Sequence, residues 1–224
     1  SVLYGSGALN GIIAIREREP GTTPVTKLKV QYGIYDNPRR ASLRWWDTNP
    51  MTQQIEFYRS QMFKNVGYTI SSTLFHDDGY KNREFEFRGR VSGTFYYRPK
   101  KWSKVKAGIS YNYQVQKTGN FIIWESDTLG YTPQGGIDTS NAASTLTYTL
   151  GQRLFIDPYV KIIDKHNNRH SFKNRMYYVK NVILGNESQN SIATIYNNDY
   201  QFQKSYANGL TLTSGASSLY NVVI

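Results

Sequence analysis

Apolar and polar side chains alternate along most of this chain, which is the pattern of a β-strand whose two faces meet different surroundings. Residues 84–97 (EFEFRGRVSGTFYY) give the clearest case. One set of alternating positions holds only apolar residues and glycine, namely Phe85, Phe87, Gly89, Val91, Gly93, Phe95 and Tyr97. The other set holds the charged and hydroxyl side chains Glu84, Glu86, Arg88, Arg90, Ser92 and Thr94, and it ends at Tyr96. This segment therefore predicts a long amphipathic strand.

The same alternation recurs throughout the chain, and helical periodicity is almost absent. Residues 28–34, 105–116 and 154–162 repeat it with Leu, Ile, Val and Tyr on one side and Lys, Asn and Gln on the other. Nine strands are predicted from the whole pattern, at 26–35, 52–63, 67–76, 84–98, 104–117, 152–164, 171–181, 191–206 and 209–220. The segment ASLRWW (41–46) is either a further strand or part of a structured loop.

The lengths of these strands and of the segments between them favour a membrane barrel. Strands of globular domains run to about 5–6 residues, and the predicted ones are roughly twice as long. Short turns are predicted at 64–65, 98–104, 165–170 and 207–209, and they alternate with longer connections at 36–51, 77–83, 118–151 and 182–190. Short turns on one side and longer loops on the other are typical of outer-membrane barrels. We therefore predict an all-β fold that forms part of a large antiparallel transmembrane β-barrel.

The number of strands suggests a part of a longer protein. Bacterial single-chain barrels usually have an even number of strands, whereas nine are predicted here. The last residues, SLYNVVI, still continue a strand pattern, and the first residue is Ser1 rather than Met. We expect an internal fragment that leaves a sheet edge open.

The amino-acid composition further restricts the class of protein to which this chain can belong. The chain contains 19 Tyr, 10 Phe and 4 Trp residues, and aromatic rings favour strands and the interfacial belts of membrane barrels. No run approaches the roughly 18 apolar residues of a membrane helix, so a helical span is excluded. A membrane β-barrel is not excluded, because its strands alternate and their mean hydropathy stays low. Cysteine is absent, so disulfides and thiolate metal sites are excluded. The net charge of +11 indicates either a solvated surface or attraction to an anionic ligand, to lipid phosphates or to nucleic acid.

The first fifteen residues, SVLYGSGALNGIIAI, resemble the end of the plug domain of TonB-dependent outer-membrane receptors. The family's glycine-rich motif corresponds here to Tyr4, Gly5, Ser6, Gly7, Ala8, Asn10 and Gly11. Later segments, TLGQRLFIDPYVKIIDKHNNRHSFKNRMYYVKN (149–181) in particular, look similar to the Bacteroidetes branch of the family. The segment REREP (16–20) departs from the family's usual sequence. The resemblance implies that residues 1–20 end a plug domain and that residues 21–224 begin a plugged barrel of roughly 22 strands.

The family resemblance also implies a function. The whole protein would bind a scarce nutrient at the bacterial outer membrane, an iron–siderophore first of all, with cobalamin or a glycan as the other candidates. TonB would then drive uptake through the barrel, and a surface lipoprotein is a further candidate partner. Outer-membrane lipid and lipopolysaccharide would surround the protein. No catalysis, cofactor, metal site or nucleic-acid partner is expected, and we expect no transport by the 224-residue chain alone.

Basic and aromatic residues in the long connections are the candidate ligand contacts. They are Arg39, Arg40, Trp45, Trp46, Trp124 and Tyr131. Two other interpretations of these residues stay open. The tryptophans can form an interfacial belt at headgroup level, and the arginines can bind lipopolysaccharide phosphates.

Two further motifs resemble metal sites, and each is compared with the alternative of a simple turn. His166 and His170 are four residues apart, but they flank a predicted turn rather than one face of a helix, and the Glu of the usual two-histidine zinc motif is missing. Asp77-Asp78-Gly79 lacks the remaining ligands of a calcium loop, so an Asp-Gly turn is the better interpretation.

Two other classes of protein fit parts of the pattern. A small self-contained outer-membrane barrel with a structural or adhesive role explains the alternation but not residues 1–15. A soluble carbohydrate-binding β-sandwich explains the strands, but it predicts shorter ones and a buried apolar face.

Overall fold

The computed structural model describes residues 19–102, 104–129, 131–185 and 189–224. These residues form one antiparallel sheet of nine strands in chain order. The strands are β1 (Val25–Ile34), β2 (Met51–Phe63), β3 (Val66–Asp77), β4 (Phe85–Tyr97), β5 (Val105–Asn120), β6 (Thr147–Ile163), β7 (Arg169–Leu184), β8 (Ser191–Ser205) and β9 (Thr211–Val223). The prediction of an all-β, antiparallel fold is confirmed.

The nine predicted strands are confirmed, with differences mainly at their ends. β5 extends as far as Asn120 and β6 already begins at Thr147. The loop between them is therefore shorter than the predicted 118–151. The added residues are largely Thr and Gly, whose weak alternation hides the strand, and pairing with the neighbouring strand extends it. Residues 41–46 belong to a structured loop and not to a strand, because Ala41–Leu43 form one turn of 3-10 helix.

Short turns and long loops lie at opposite ends of the sheet, as predicted. The turns T1 (64–65), T2 (98–104), T3 (164–168) and T4 (206–210) join strands at one end. The loops L1 (35–50), L2 (78–84), L3 (121–146) and L4 (185–190) join them at the other. We call these the short-turn end and the long-loop end.

Register places most of the apolar side chains of the strands on one face of the sheet, while a minority that includes Phe75 and Phe155 lies on the other. Residues paired across neighbouring strands point to the same side, and the pairs run Leu28↔Phe57, Ile55↔Leu74 and Val91↔Tyr113. We call this side the apolar face. Its large side chains are exposed, among them Leu28 (69% exposed), Val30, Ile34, Ile55, Phe63, Leu74, Phe87, Val91 (44% exposed), Phe95, Tyr113, Ile162, Phe172, Leu212 and Tyr220.

The opposite face, which we call the polar face, is the more enclosed one. Ser60, Thr69 and Asn112 all lie on it and are buried. An open groove of about 780 Å³ crosses it from β5 to β9. This distribution reverses that of a soluble sheet, where the apolar side is covered and the polar side faces solvent.

Three polar side chains interrupt the apolar face in one place, and they form hydrogen bonds with one another. Asn174, Asn198 and Ser218 lie on it at mid-height of β7, β8 and β9. Asn174 Nδ2 donates to Asn198 Oδ1, and Asn198 Nδ2 donates to Ser218 Oγ at 3.3 Å. A polar side chain whose hydrogen bonds are made within the protein costs much less free energy in an apolar medium.

β1 and β9 each pair on one side only, so the described part of the sheet has two open edges. These nine strands form one sheet, whereas a sandwich requires two that pack face to face. Within the described ranges, no helix is long and apolar enough to cross a membrane.

Glycines on β4 offer a test of how closely neighbouring strands approach. A methyl group at Gly93 would lie 2.2 Å from the Thr69 carbonyl oxygen, while one at Gly89 meets only Val115, at 3.5 Å, and Leu74. We expect Gly93→Ala to lower the free energy of unfolding by about 1–3 kcal/mol, as measured by denaturant titration of the folded protein in detergent. Gly89→Ala is the matched control and should be neutral or slightly stabilising, because glycine weakens strands. Equal losses in both variants would contradict this packing.

Candidate ligand-binding site at the long-loop end

Three long loops meet over the sheet through a chain of aromatic rings. The Tyr80 ring of L2 is at its centre, with its centroid 5.5 Å from that of Trp46 in L1 and 5.1 Å from that of Tyr131 in L3. The chain extends from Trp46 to Trp45 at 5.5 Å and from Tyr131 to Trp124 at 6.1 Å. We call these five residues the loop cluster.

The rings of the loop cluster meet edge to face. Their interplanar angles lie between 65° and 89° in all four contacts. This geometry places the positive edge of one ring against the negative face of the next, and each such pair contributes about 0.5–1.5 kcal/mol beyond area burial. The loop cluster is therefore a small packed core that joins L1, L2 and L3.

The members of the loop cluster differ in their access to solvent. Trp46 is 6% exposed, and its Nε1 has no hydrogen-bond partner among the described residues. Trp45 is half-buried, and its Nε1 donates to the Tyr80 carbonyl at 2.9 Å. Trp124 is 48% exposed. Trp46 thus packs the interior of the cluster, while Trp124 presents a ring surface outwards.

Backbone and ionic contacts hold L2 and L3 together beneath these rings. Lys81 Nζ donates to Asn120 Oδ1 at 2.8 Å and to the Phe121 carbonyl at 2.9 Å, and it lies 3.1 Å from Glu84 Oε1. Asn82 N donates to the Tyr131 carbonyl at 3.0 Å. The position of Tyr131 against Tyr80 is therefore fixed by the backbone as well as by ring packing.

The carboxylates of the turn after β3 accept hydrogen bonds from neighbouring groups of the protein. Tyr35 Oη donates to the Asp77 carboxylate at 3.0 Å, and Gly79 N donates to Asp77 Oδ1 at 2.8 Å. Asp78 accepts from Met51 N at 2.9 Å and lies 3.0 Å from His76 Nε2. Gly79 has φ +73°, which favours glycine. The predicted Asp-Gly turn is confirmed.

Burial, and then the hydrogen bond to Asp77, raise the pKa of Tyr35 to about 12. Tyr35 therefore stays protonated and donating at alkaline pH as well, where an ordinary tyrosine begins to ionise. Its ring also contacts Tyr80, with centroids 5.8 Å apart. This tyrosine ties the end of β1 to the loop cluster, and the sequence analysis did not single it out.

Four of the six predicted contact residues belong to the loop cluster, namely Trp45, Trp46, Trp124 and Tyr131. Arg39 and Arg40 lie on the exposed surface of L1, beside the 3-10 turn, and are not members of the loop cluster. The residues of the predicted plug motif, Tyr4, Gly5, Ser6, Gly7, Ala8, Asn10 and Gly11, lie outside the described residues. Tyr80, the central ring, was missed; its position directly after an Asp-Gly turn at a strand end was the available signal.

The two histidines belong to different elements, but both contact Asp164. His166 lies in T3, where its backbone N donates to Asp164 Oδ1 at 2.8 Å. His170 belongs to β7, with Nε2 3.5 Å from Asp164 Oδ2 and Nδ1 2.9 Å from Tyr200 Oη. The described residues contain no group of three or more His, Asp or Glu side chains arranged to hold a metal ion.

At the short-turn end, the segment before β1 lies on the polar face. Glu19 forms ion pairs with Arg98 and Lys106, and Lys106 is on the polar face of β5. The hydrogen bond from Lys106 lowers the pKa of Glu19 below its ordinary value. The Gly21 carbonyl accepts from Met62 N at 2.8 Å. The chain therefore enters β1 from the enclosed side of the sheet.

Comparisons with protein-family models, with curated proteins and with solved structures gave no match to this chain.

Proposed function

We propose that the chain is part of a TonB-dependent receptor of the bacterial outer membrane. In this proposal the apolar face meets lipid and the polar face lines a wet interior. The observation that carries the proposal is the exposed apolar face, which extends over all nine strands and has no protein cover among the described residues. Soluble proteins rarely expose an apolar patch of this extent.

Two further features support the receptor class rather than a membrane barrel in general. Strands of up to 17 residues exceed the roughly 9–11 that cross a bilayer, as expected of strands that project beyond it. Glu19 approaches from the polar face at the short-turn end, where the end of a plug inside the barrel would join the first strand. The resemblance of residues 1–15 to the family's plug motif agrees with that path.

The loop cluster is the proposed outward ligand-binding region. The exposed ring of Trp124 and the half-buried Trp45 offer apolar surface on a rigid base, and Arg39 and Arg40 offer positive charge beside it. A small nutrient such as an iron–siderophore, a cobalamin or a glycan would be bound there and then taken up with TonB. The protein binds and passes its ligand without making or breaking bonds.

Growth of the native host tests this function. Deletion of the gene is expected to abolish growth when an iron chelate, cobalamin or a glycan limits it, and deletion of tonB should cause the same loss. An excess of the same nutrient in a freely diffusing form should restore growth of both strains. Unchanged growth on every one of these nutrients, or a defect that tonB deletion does not share, would contradict the proposal.

A further inference from the structure

Positive charge is concentrated at the short-turn end of the sheet. The described residues of T1 to T4 carry six cationic side chains, Lys64, Arg98, Lys100, Lys101, Lys104 and Lys165, against one carboxylate, Asp164. The described residues of the long loops instead carry more carboxylates than cations, with Asp36, Asp47, Asp78, Glu84, Glu125, Asp127 and Asp138 against Arg39, Arg40, Arg44, Lys81 and Arg83. The two ends of the sheet therefore present opposite balances of charge.

Exposed apolar side chains lie among these cations. Trp102 in T2 is 63% exposed and is the only tryptophan at this end, since the other three belong to the loop cluster. Phe63 is equally exposed beside T1, with Lys64 Nζ 5.7 Å from its ring centroid. Leu210 in T4 is also exposed. We call the cations of T1 to T3 together with Trp102 and Phe63 the basic rim.

Lys100 and Lys101 are the most available cations of the basic rim. Both are exposed, and neither pairs with a carboxylate of the described residues. Arg98 is occupied by Glu19, and Lys104 Nζ donates to Asn167 Oδ1 at 3.2 Å. Two adjacent free ammonium groups next to an exposed indole match a phosphate-bearing interface, where the ring sits at headgroup level and the charges meet anions.

We infer that the basic rim binds the phosphates of anionic phospholipid headgroups in the membrane leaflet at the short-turn end. This inference rests on the proposed function, because it assumes that the apolar face lies in the bilayer. The rim continues directly from that face, since Phe63 belongs to the face and adjoins T1. Lipid phosphate is then the nearest partner with the complementary charge. Binding of the basic rim to these headgroups would fix which end of the barrel faces this leaflet.

Vesicle flotation of the 224-residue chain tests the inference. The probes are phosphatidylcholine vesicles and vesicles in which three tenths of the lipid is phosphatidylglycerol. We expect binding to both, tighter on the anionic vesicles. The double variant Lys100→Gln/Lys101→Gln should lose about thirtyfold in affinity for the anionic vesicles and should bind neutral vesicles unchanged. Arg44→Gln/Arg83→Gln removes the same charge from two other exposed residues at the long-loop end and should change either affinity less than twofold.

The outcomes separate the two proposals. Failure to bind neutral vesicles contradicts the proposed membrane function, because that binding depends on the apolar face alone. Equal binding to neutral and anionic vesicles overturns the inference and leaves the membrane function standing. An equal loss in both double variants also overturns it, because net charge alone would then account for the preference.

A second readout locates the contact. Phosphatidylglycerol brominated on its acyl chains near the headgroup should quench part of the tryptophan fluorescence, and Trp102→Phe should remove that part. Trp124→Phe should leave it in place. Quenching that survives Trp102→Phe in full would place the lipid contact elsewhere and overturn the inference.

Discussion

Val91→Arg is expected to prevent assembly of the protein in a membrane. Val91 lies near the middle of β4 on the apolar face, opposite Tyr113. An arginine on the lipid face costs about 2–4 kcal/mol at the bilayer midplane, a large part of the 5–15 kcal/mol that stabilises an ordinary domain. The assembled fraction, measured by heat-modifiable migration on a gel after folding into lipid, should fall strongly.

Ser92→Arg is the matched control. Ser92 is the next residue of the same strand, but it faces the polar side, opposite Asn112. The same charge should be tolerated there, since the arginine meets water and polar neighbours. Arg90→Ala, also on the polar face, should assemble as well. If Val91→Arg assembles while Ser92→Arg does not, the two faces are assigned the wrong way round.

Trp46→Ala is expected to loosen the long loops without unfolding the sheet. Removal of a buried tryptophan costs about 3–5 kcal/mol, and here it leaves a cavity between the rings of Trp45 and Tyr80. L1 and L3 should then become sensitive to protease, while the gel migration of the assembled sheet is unchanged. Limited proteolysis followed by mass spectrometry of the fragments measures both.

Trp102→Ala is the control for the loop cluster. It removes the same side chain from an exposed site at the opposite end of the sheet. L1 and L3 should keep their resistance to protease in this variant. Resistance that also persists in Trp46→Ala would contradict the view that the loop cluster is a packed core.

The strands could be predicted from the sequence because their signal is local. Alternation at 84–97 needs only the side chains of one segment, and hairpin connections of a few residues then order the sheet. The ends were harder, as at 118–120 and 147–151, because threonine and glycine carry little alternation and pairing with a neighbour decides whether they join a strand. Which connections share an end of the sheet followed from their order along the chain, because successive antiparallel strands turn at opposite ends.

The loop cluster could be predicted only in part because its contacts are non-local. Trp46 and Tyr131 are far apart in sequence, and they meet only through Tyr80, whose place depends on the register of β1, β2 and β3. Tryptophans in long loops were conspicuous, whereas one tyrosine among nineteen was not. The opposite charge balance of the two ends likewise becomes visible only when the connections are sorted by the end at which they lie.

The central claim is that alternate side chains of the strands meet hydrocarbon and water, and single-cysteine spin labelling along β4 tests it most directly. The chain has no cysteine, so each label reports one position of the protein folded into lipid. Labels at Gly89, Val91 and Phe95 should collide mainly with oxygen dissolved in the bilayer, and labels at Arg90, Ser92 and Thr94 mainly with a water-soluble nickel complex, with a period of two residues. Equal access of both quenchers at all six positions, or the opposite phase, would contradict the account.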